Sequence, residues 1–337
     1  MRLVSALVAF LSVVGIALGP VFGQDAKLID AAKKEGGKVV VYGSIENDTM
    51  DLIGRAFKKK TGLDVEFWRA SATKVMDRVI NELRSGKPLY DVVLTIIPPM
   101  EFMLNEGALA PYNSPSARMF PKEAMHPKLG PQYRNSVIGV VYHTGIIKPA
   151  DAPKSLEDLL KPQYRGKVVM PDASQHTTTA QWLASLHKIM GKERADRFIR
   201  ELAATRPLLV ESLTPAGERI TTGETPIGIA FLKNVVFYGQ KGIPLDYVRL
   251  GKFMGDGHGI SLAAKAPHAN GGKAFIDYFL GDEGLKIMAG VGEFVTRKGI
   301  YPPLPDADKI ELVEMIDMDK KAYAAKMAEY RKIFLQQ

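Results

Sequence analysis

Apolar and polar positions change period several times along this chain, and each change marks an element. Residues 38–42, K-V-V-V-Y, are apolar after the first position, as a strand covered on both faces requires. Residues 47–60 then set Met50, Ile53, Ala56 and Phe57 at helical spacing, and Gly62 stops that helix. A strand at 63–68 follows, then a helix at 71–84 with Val75, Met76, Val79, Ile80 and Leu83 on one face. D-V-V-L-T at 91–95 completes the series. Apolar strands separated by amphipathic helices predict an open parallel sheet with helices on both faces.

A short helix at 100–107 leads into 110–131, a stretch rich in Pro, Ser and Met that reads as an irregular excursion. The strand signal resumes at 136–142, S-V-I-G-V-V-Y, and opens a second α/β series. Helices are expected at 155–160, 177–190, 192–204, 215–222 and 233–241, with strands at 167–170, 226–231, 245–248 and 259–264. In 270–280, Ala274, Phe275, Tyr278 and Phe279 face one way. The polar, helix-forming end from 306 to 337 reads as a packing arm. No fixed-period repeat or low-complexity tract occurs.

Residues 1–23 read as a secretory signal peptide. Arg2 precedes an apolar core over 3–18, Gly19 and Pro20 break it, and Val21 and Gly23 offer small residues before a cut at Gln24. The run is shorter than the roughly 20 apolar residues of a spanning helix, so cleavage is preferred to anchoring. About 314 residues then remain, enough for two domains. The chain has no Cys, which excludes disulfides, thiol chemistry and an acylated cysteine after the cut. The formal charge of +8 is spread among interleaved acids, a solvated surface and no nucleic-acid patch.

The motifs and their order resemble a family, the periplasmic solute-binding proteins of ABC importers (extracellular solute-binding family 1), in the group that contains bacterial ferric-ion-binding proteins. V-V-V-Y-G-S-I-E at 39–46, F-K-K-K-T-G-L-D-V at 57–65, K-P-L-Y-D-V-V-L-T at 87–95 and A-F-I-D-Y-F-L-G-D-E-G-L-K-I-M at 274–288 carry the resemblance. It implies an α/β fold of the two-lobed, type II kind with two crossing hinge strands. Lobe I would take 24–138 and 247–298, and lobe II 139–246 and 299–337. The crossings would lie in 136–142 and 244–249. The implied function is a periplasmic, monomeric binding protein that captures a small anionic solute by hinge closure and hands it to an inner-membrane permease, without a cofactor. Ferric-ion or metal-chelate binding is the alternative. An exported enzyme on the same fold, using His176 and Glu211 as acid and base, is more remote.

Ligands of such proteins sit at strand carboxyl ends and helix amino ends. The segment Ser174, Gln175, His176, Thr177 and Thr178 follows a strand and opens a helix, so hydroxyls, an imidazole and free N–H groups converge; one residue of it acting as an N-cap is the plain alternative. The family resemblance implies a phosphate-binding turn there, and it sets Glu46 where relatives place a metal-binding histidine, a carboxylate suited to a cation or to a ligand hydroxyl or amine, with an exposed helix-cap acid as the plain alternative. Lys233 and Asn234 stand where ferric-binding relatives place a tyrosine pair, and an ammonium there suits an anion better than a trivalent cation. Glu211, Asp256 and His258, Arg69 and Ser71, and Ser44 and Thr95 at strand ends complete the candidate ligand set. Asp256 and His258 fall in G-D-G-H-G, read as a turn before a strand. The sequence holds no G-x-S-x-G, H-E-x-x-H or P-loop, and its six His lack metal-ligand spacing.

Overall fold

The first secondary-structure element is α1 (Phe22–Lys34), in a computed structural model that describes residues 22–335. The expected leader therefore lies outside the described residues except for its last two positions. The chain continues through β1 (Lys38–Gly43), α2 (Asn47–Thr61), β2 (Asp64–Arg69), α3 (Ala72–Arg84), β3 (Val92–Ile96) and α4 (Ile97–Asn105). β1 lies between β2 and β3 with both pairings parallel. Gly62 ends α2 in the left-handed region at φ 76°, donating its N–H to Lys58, which is why the T-G turn is a helix stop. Met50, Ile53 and Phe57 form the buried face of α2 that their spacing predicts.

Two short strands, β4 (Leu109–Ala110) and β5 (Met125–His126), punctuate the irregular stretch before β6 (Gly130–His143). The second series runs β7 (Val168–Pro171), α5 (Thr177–Ser185), α6 (His187–Met190), α7 (Lys192–Ala204), β8 (Leu208–Val210), α8 (Leu213–Thr221), β9 (Ile227–Phe231) and α9 (Lys233–Gly239). β10 (Leu245–Tyr247) and β11 (Lys252–Ala263) bring the chain back to α10 (Ala269–Phe279), α11 (Asp282–Gly290) and β12 (Phe294–Val295). β13 (Glu311–Leu312) and α12 (Lys320–Leu335) end it.

Among the described residues the strands join in the order β2-β1-β3-β11-β6-β9-β7-β8. Helices on either side of this path bury separate cores. One gathers Val39, Val41, Phe57, Leu94, Tyr133, Phe275 and Phe279; another gathers Ile138, Val140, Met170, Trp182, Phe198, Ile229 and Tyr330. Each large side chain here removes roughly 1.5–3 kcal/mol worth of apolar surface from water. β6 contributes to both, Tyr133 to the first core and Ile138 to the second. β11 is its antiparallel partner across the junction, Met254 opposite Ile138 and His258 opposite Arg134.

That pairing differs from the sequence reading in two respects. Residues 245–247 form β10, which pairs only with the far end of β6, so the return between cores runs through β11. The G-D-G-H-G segment is strand rather than turn. A Cβ at Gly255 would sit 2.3 Å from the carbonyl oxygen of Ser136, so the glycine permits close approach of two strands. The expected helix at 177–190 is also divided after Ser185, whose hydroxyl donates back to Gln181 and accepts from Ile316 of the carboxyl-terminal arm.

Candidate functional site

Between the two cores the apolar pattern of β6 is interrupted by Arg134 and Ser136. Residues two apart on a strand share a face, and directly opposed antiparallel residues share it too, so Arg134, Ser136, Asp256 and His258 meet on one side of the junction. The Arg134 guanidinium pairs with Glu293, just before β12, and both side chains are only 2% exposed. Arg134 Nη2 lies 3.3 Å from His258 Nδ1, and His258 Nε2 lies 3.0 Å from Ser136 Oγ. A guanidinium can only donate, so Nδ1 accepts and the imidazole proton sits on Nε2, pointed at the serine. Burial, with Arg134 and Lys233 nearby, pushes His258 well below its ordinary range, so it is neutral.

From the opposite side comes Lys233, the first residue of α9. Its ammonium bonds to Glu46 and, at 3.0 Å, to Glu293. Glu46 occupies the N-cap position of α2 but makes no side-chain cap bond, its carboxylate going to Lys233 instead. Burial pushes the Glu46 carboxyl up, and the charges of Lys233 and Arg134 more than reverse this, holding it at about 2. Arg134, Lys233, Glu46 and Glu293 thus form one charge-balanced chain that ties the element after β1, the element before β12 and the start of α9 together. The Arg134 Nε remains buried without a well-formed hydrogen bond.

The start of α5 forms the adjoining wall. Asp172 organises it by accepting from the Ser174 N–H and the Gln175 amide, both at 2.8 Å. His176, not a hydroxyl, is the N-cap: its Nδ1 accepts from the Thr179 N–H. Ser174 Oγ is buried without a partner, and Thr178 Oγ1 donates to Asp256 Oδ2 at 3.1 Å. Gln175 and Thr177 are exposed. At the strand ends of the first core, Ser44 Oγ and Thr95 Oγ1 lie 2.9 Å apart.

Other candidates stand apart from this group. Ser71 is exposed and accepts from the Lys74 N–H as the cap of α3, and Arg69 is exposed at the end of the edge strand. Glu211 is exposed before α8. Asn234 is buried against α8, close enough that a Cβ at Gly217 would meet its Nδ2 at 2.1 Å. Arg134, Ser136 and Glu293 escape the sequence reading, although a cation beside Tyr133 in Q-Y-R-N-S and an acid within V-G-E-F-V are charges inside strand-like runs. Among the described residues, no three His, Asp or Glu are grouped to hold a metal ion, and no helix is long and apolar enough to cross a membrane.

Burial raises the Asp256 carboxyl to about 6, against opposing contributions from Thr178 and Arg134. The folded state therefore holds this proton more tightly than the unfolded chain. The resulting stabilisation is full below about pH 4 and is lost as pH rises through about 6. Asp256→Asn, which mimics the protonated acid, should be more stable than the parent at neutral pH by on the order of 3 kcal/mol, with the gain shrinking at about pH 4. Urea unfolding across this range measures it; a pH-independent difference would show that Asp256 does not titrate as described.

A family model described as bacterial extracellular solute-binding protein matches residues 38–292. A probable ABC transporter periplasmic-binding protein, y4fP of Sinorhizobium fredii, is 24% identical over 266 residues, 74% of this chain and 70% of its own. Among solved structures, periplasmic binding protein AfuA of Actinobacillus pleuropneumoniae, with fructose-6-phosphate bound, superposes with a TM-score of 0.66 at 22% identity, covering 89% of this chain and 97% of its own. Iron-bound HitA of Pseudomonas aeruginosa gives 0.66 at 18%, covering 89% and 98%. The substrate-binding protein of an ABC transporter from Agrobacterium tumefaciens gives 0.74 at 13%, covering 88% and 94%. These likenesses establish the two-lobed α/β fold.

Proposed function

The chain belongs to the bacterial extracellular solute-binding protein family, and on that premise we propose that it captures a small anionic solute between its lobes for an ABC permease in the inner membrane. It is the binding component of such a transporter, in keeping with the Sinorhizobium relative. Export through the leader at residues 1–23 would place it in the periplasm. Lobe I takes 24–138 and, with the return crossing moved from 247 into β11, about 255–298, and lobe II takes 139–254 and 299–337, the two moving about β6 and β11.

One observation carries the anionic reading: two cations, Arg134 and Lys233, are drawn to the interlobe junction, and Arg134 Nε is buried there with unused donor capacity. Ser174, Thr178, Ser136 and the start of α5 supply further donors around them. Charge-assisted bonds of this kind can supply the roughly 8 kcal/mol of a micromolar complex. A phosphate ester or carboxylate suits these donors, as AfuA holds fructose-6-phosphate. Free iron, bound by HitA, suits them less, because Lys233 repels a cation. The role is binding without turnover.

Native mass spectrometry of protein purified from its own host tests this. An anionic solute should be retained and, after long incubation, released chemically unchanged. Retention of a cationic or neutral solute would overturn the anionic reading, and conversion of the solute would overturn the binding role.

A further inference from the structure

The two carboxylates on Lys233 are not equivalent, and the difference assigns them different tasks. Glu293 is 2% exposed and shared with Arg134, so moving it would strand a buried charge at both ends. Glu46 has a side chain 48% exposed and lies in the short link between β1 and α2. Rotating it into water strands no fully buried charge, and what it gives up is the attraction of Lys233 and Arg134 that holds its carboxyl at about 2, which an anion on Lys233 replaces. We propose that Glu46 is a displaceable latch: its carboxylate holds, on Lys233, the seat that an anionic group of the ligand takes, so that ligand replaces Glu46 instead of joining it.

Three observations converge on this assignment. Glu46 leaves the first turn of α2 without a side-chain cap, so the N–H groups at that helix start donate no bond to its carboxylate. Its carboxylate instead crosses the junction to α9, and is the exposed member of the chain that joins the two sides. The cluster of Arg134, Lys233, Glu46 and Glu293 is balanced, two cations against two anions, and Asp256 beside Arg134, its carboxyl raised to about 6, adds further negative charge at neutral pH. An entering anion that joined all four would add unpaired negative charge to a buried group, whereas one that exchanges with Glu46 keeps the balance. Nearby His258 is neutral and contributes no compensating charge.

The assignment rests on the anionic reading of the cleft and makes a prediction opposite in sign to that of a direct ligand contact: removing Glu46 should strengthen binding. The test uses the mature chain and Glu46→Gln, with inorganic phosphate as the probe in calorimetry. Glu46→Gln should bind phosphate at least fivefold more tightly than the parent, and Lys233→Met should lose binding in either background. Because the chain has no Cys, spin labels at Asp51→Cys and Glu218→Cys report the interlobe distance without interference. With no phosphate added, Glu46→Gln should show a broader and longer distance distribution. Equal or weaker phosphate binding by Glu46→Gln, with the parent binding well, overturns the latch and leaves the anionic reading standing. Identical distance distributions overturn it as well. Failure of both proteins to bind phosphate overturns the anionic reading, and the latch with it.

Discussion

Lys233→Glu should reduce affinity for the retained anion by a hundredfold or more while the protein remains folded. The substitution removes both ammonium bonds, to Glu46 and to Glu293, and places a third carboxylate beside them. Each pair of like charges at about 4 Å costs on the order of 4 kcal/mol at the dielectric typical of a protein surface, though local water and side-chain rotation relieve part of it. Truncating one partner of a buried charge pair alone costs about 2–5 kcal/mol in a complex, and tenfold corresponds to about 1.4 kcal/mol, so a hundredfold loss is a conservative outcome. Folding should survive because Glu293 retains Arg134, and the rest of α9 stays packed through Val236. Calorimetry gives the affinity and circular dichroism the fold. Unchanged affinity in a folded variant would remove Lys233 from the site.

The second large effect is on stability. Arg134→Met should destabilise the protein by about 3–5 kcal/mol, the range for leaving one member of a buried pair uncompensated. Glu293 would keep only Lys233, and His258 Nδ1 would lose its donor. Adding Glu293→Gln to Arg134→Met should restore a substantial part, because the stranded charge is then gone. Urea unfolding of the parent, the single variant and the double variant measures this. A single variant costing less than about 1 kcal/mol, or a double variant no better than the single, would mean that the pair is solvated more than its burial implies.

Much of the fold is legible in the sequence because its main strands announce themselves. β1, β3 and β9 are buried on both faces, so their apolar runs carry the signal directly. The stop at Gly62 is legible for a backbone reason. β11 is legible only in its second half, the strand expected at 259–264; Gly255 and Gly257 read as a turn, because nothing in the segment itself shows the Ser136 backbone that crowds Gly255 or the Gln132 side chain over Gly257. The divided helix at Ser185 depends on Ile316, a contact from far along the chain.

The site divides in the same way. Lys233, Glu46 and Thr178 come from strand ends and helix starts, places where sequence reasoning looks, while Asp256 and His258 are nominated as part of a turn and lie within β11; the fold brings all five to one junction. Arg134 and Glu293 come from within or beside strands, where a charge reads as an outward surface position. Their burial follows from pairing with each other, and a pair made across nearly half of the chain leaves no local pattern. Arg69, Ser71 and Glu211 illustrate the converse: position at an element boundary nominates a residue, and the side chain then points to solvent or caps its own helix.

The place of β11 beside β3 orders how the molecule can be assembled. The sheet of the first core acquires the partner of residues 92–96 only when residues 258–262 have been made, after all of the second core except its carboxyl-terminal members Met315 and Tyr330. Contacts of such sequence separation carry a high entropic cost before they are rewarded, and they fold slowly. A chain whose amino-terminal half cannot complete its own sheet stays unfolded longer during synthesis, with the β3 edge unpaired. That delay suits the export proposed for this chain, since a polypeptide threaded through a membrane crosses before its sheet is complete, and the strand that completes the first core's sheet is made late.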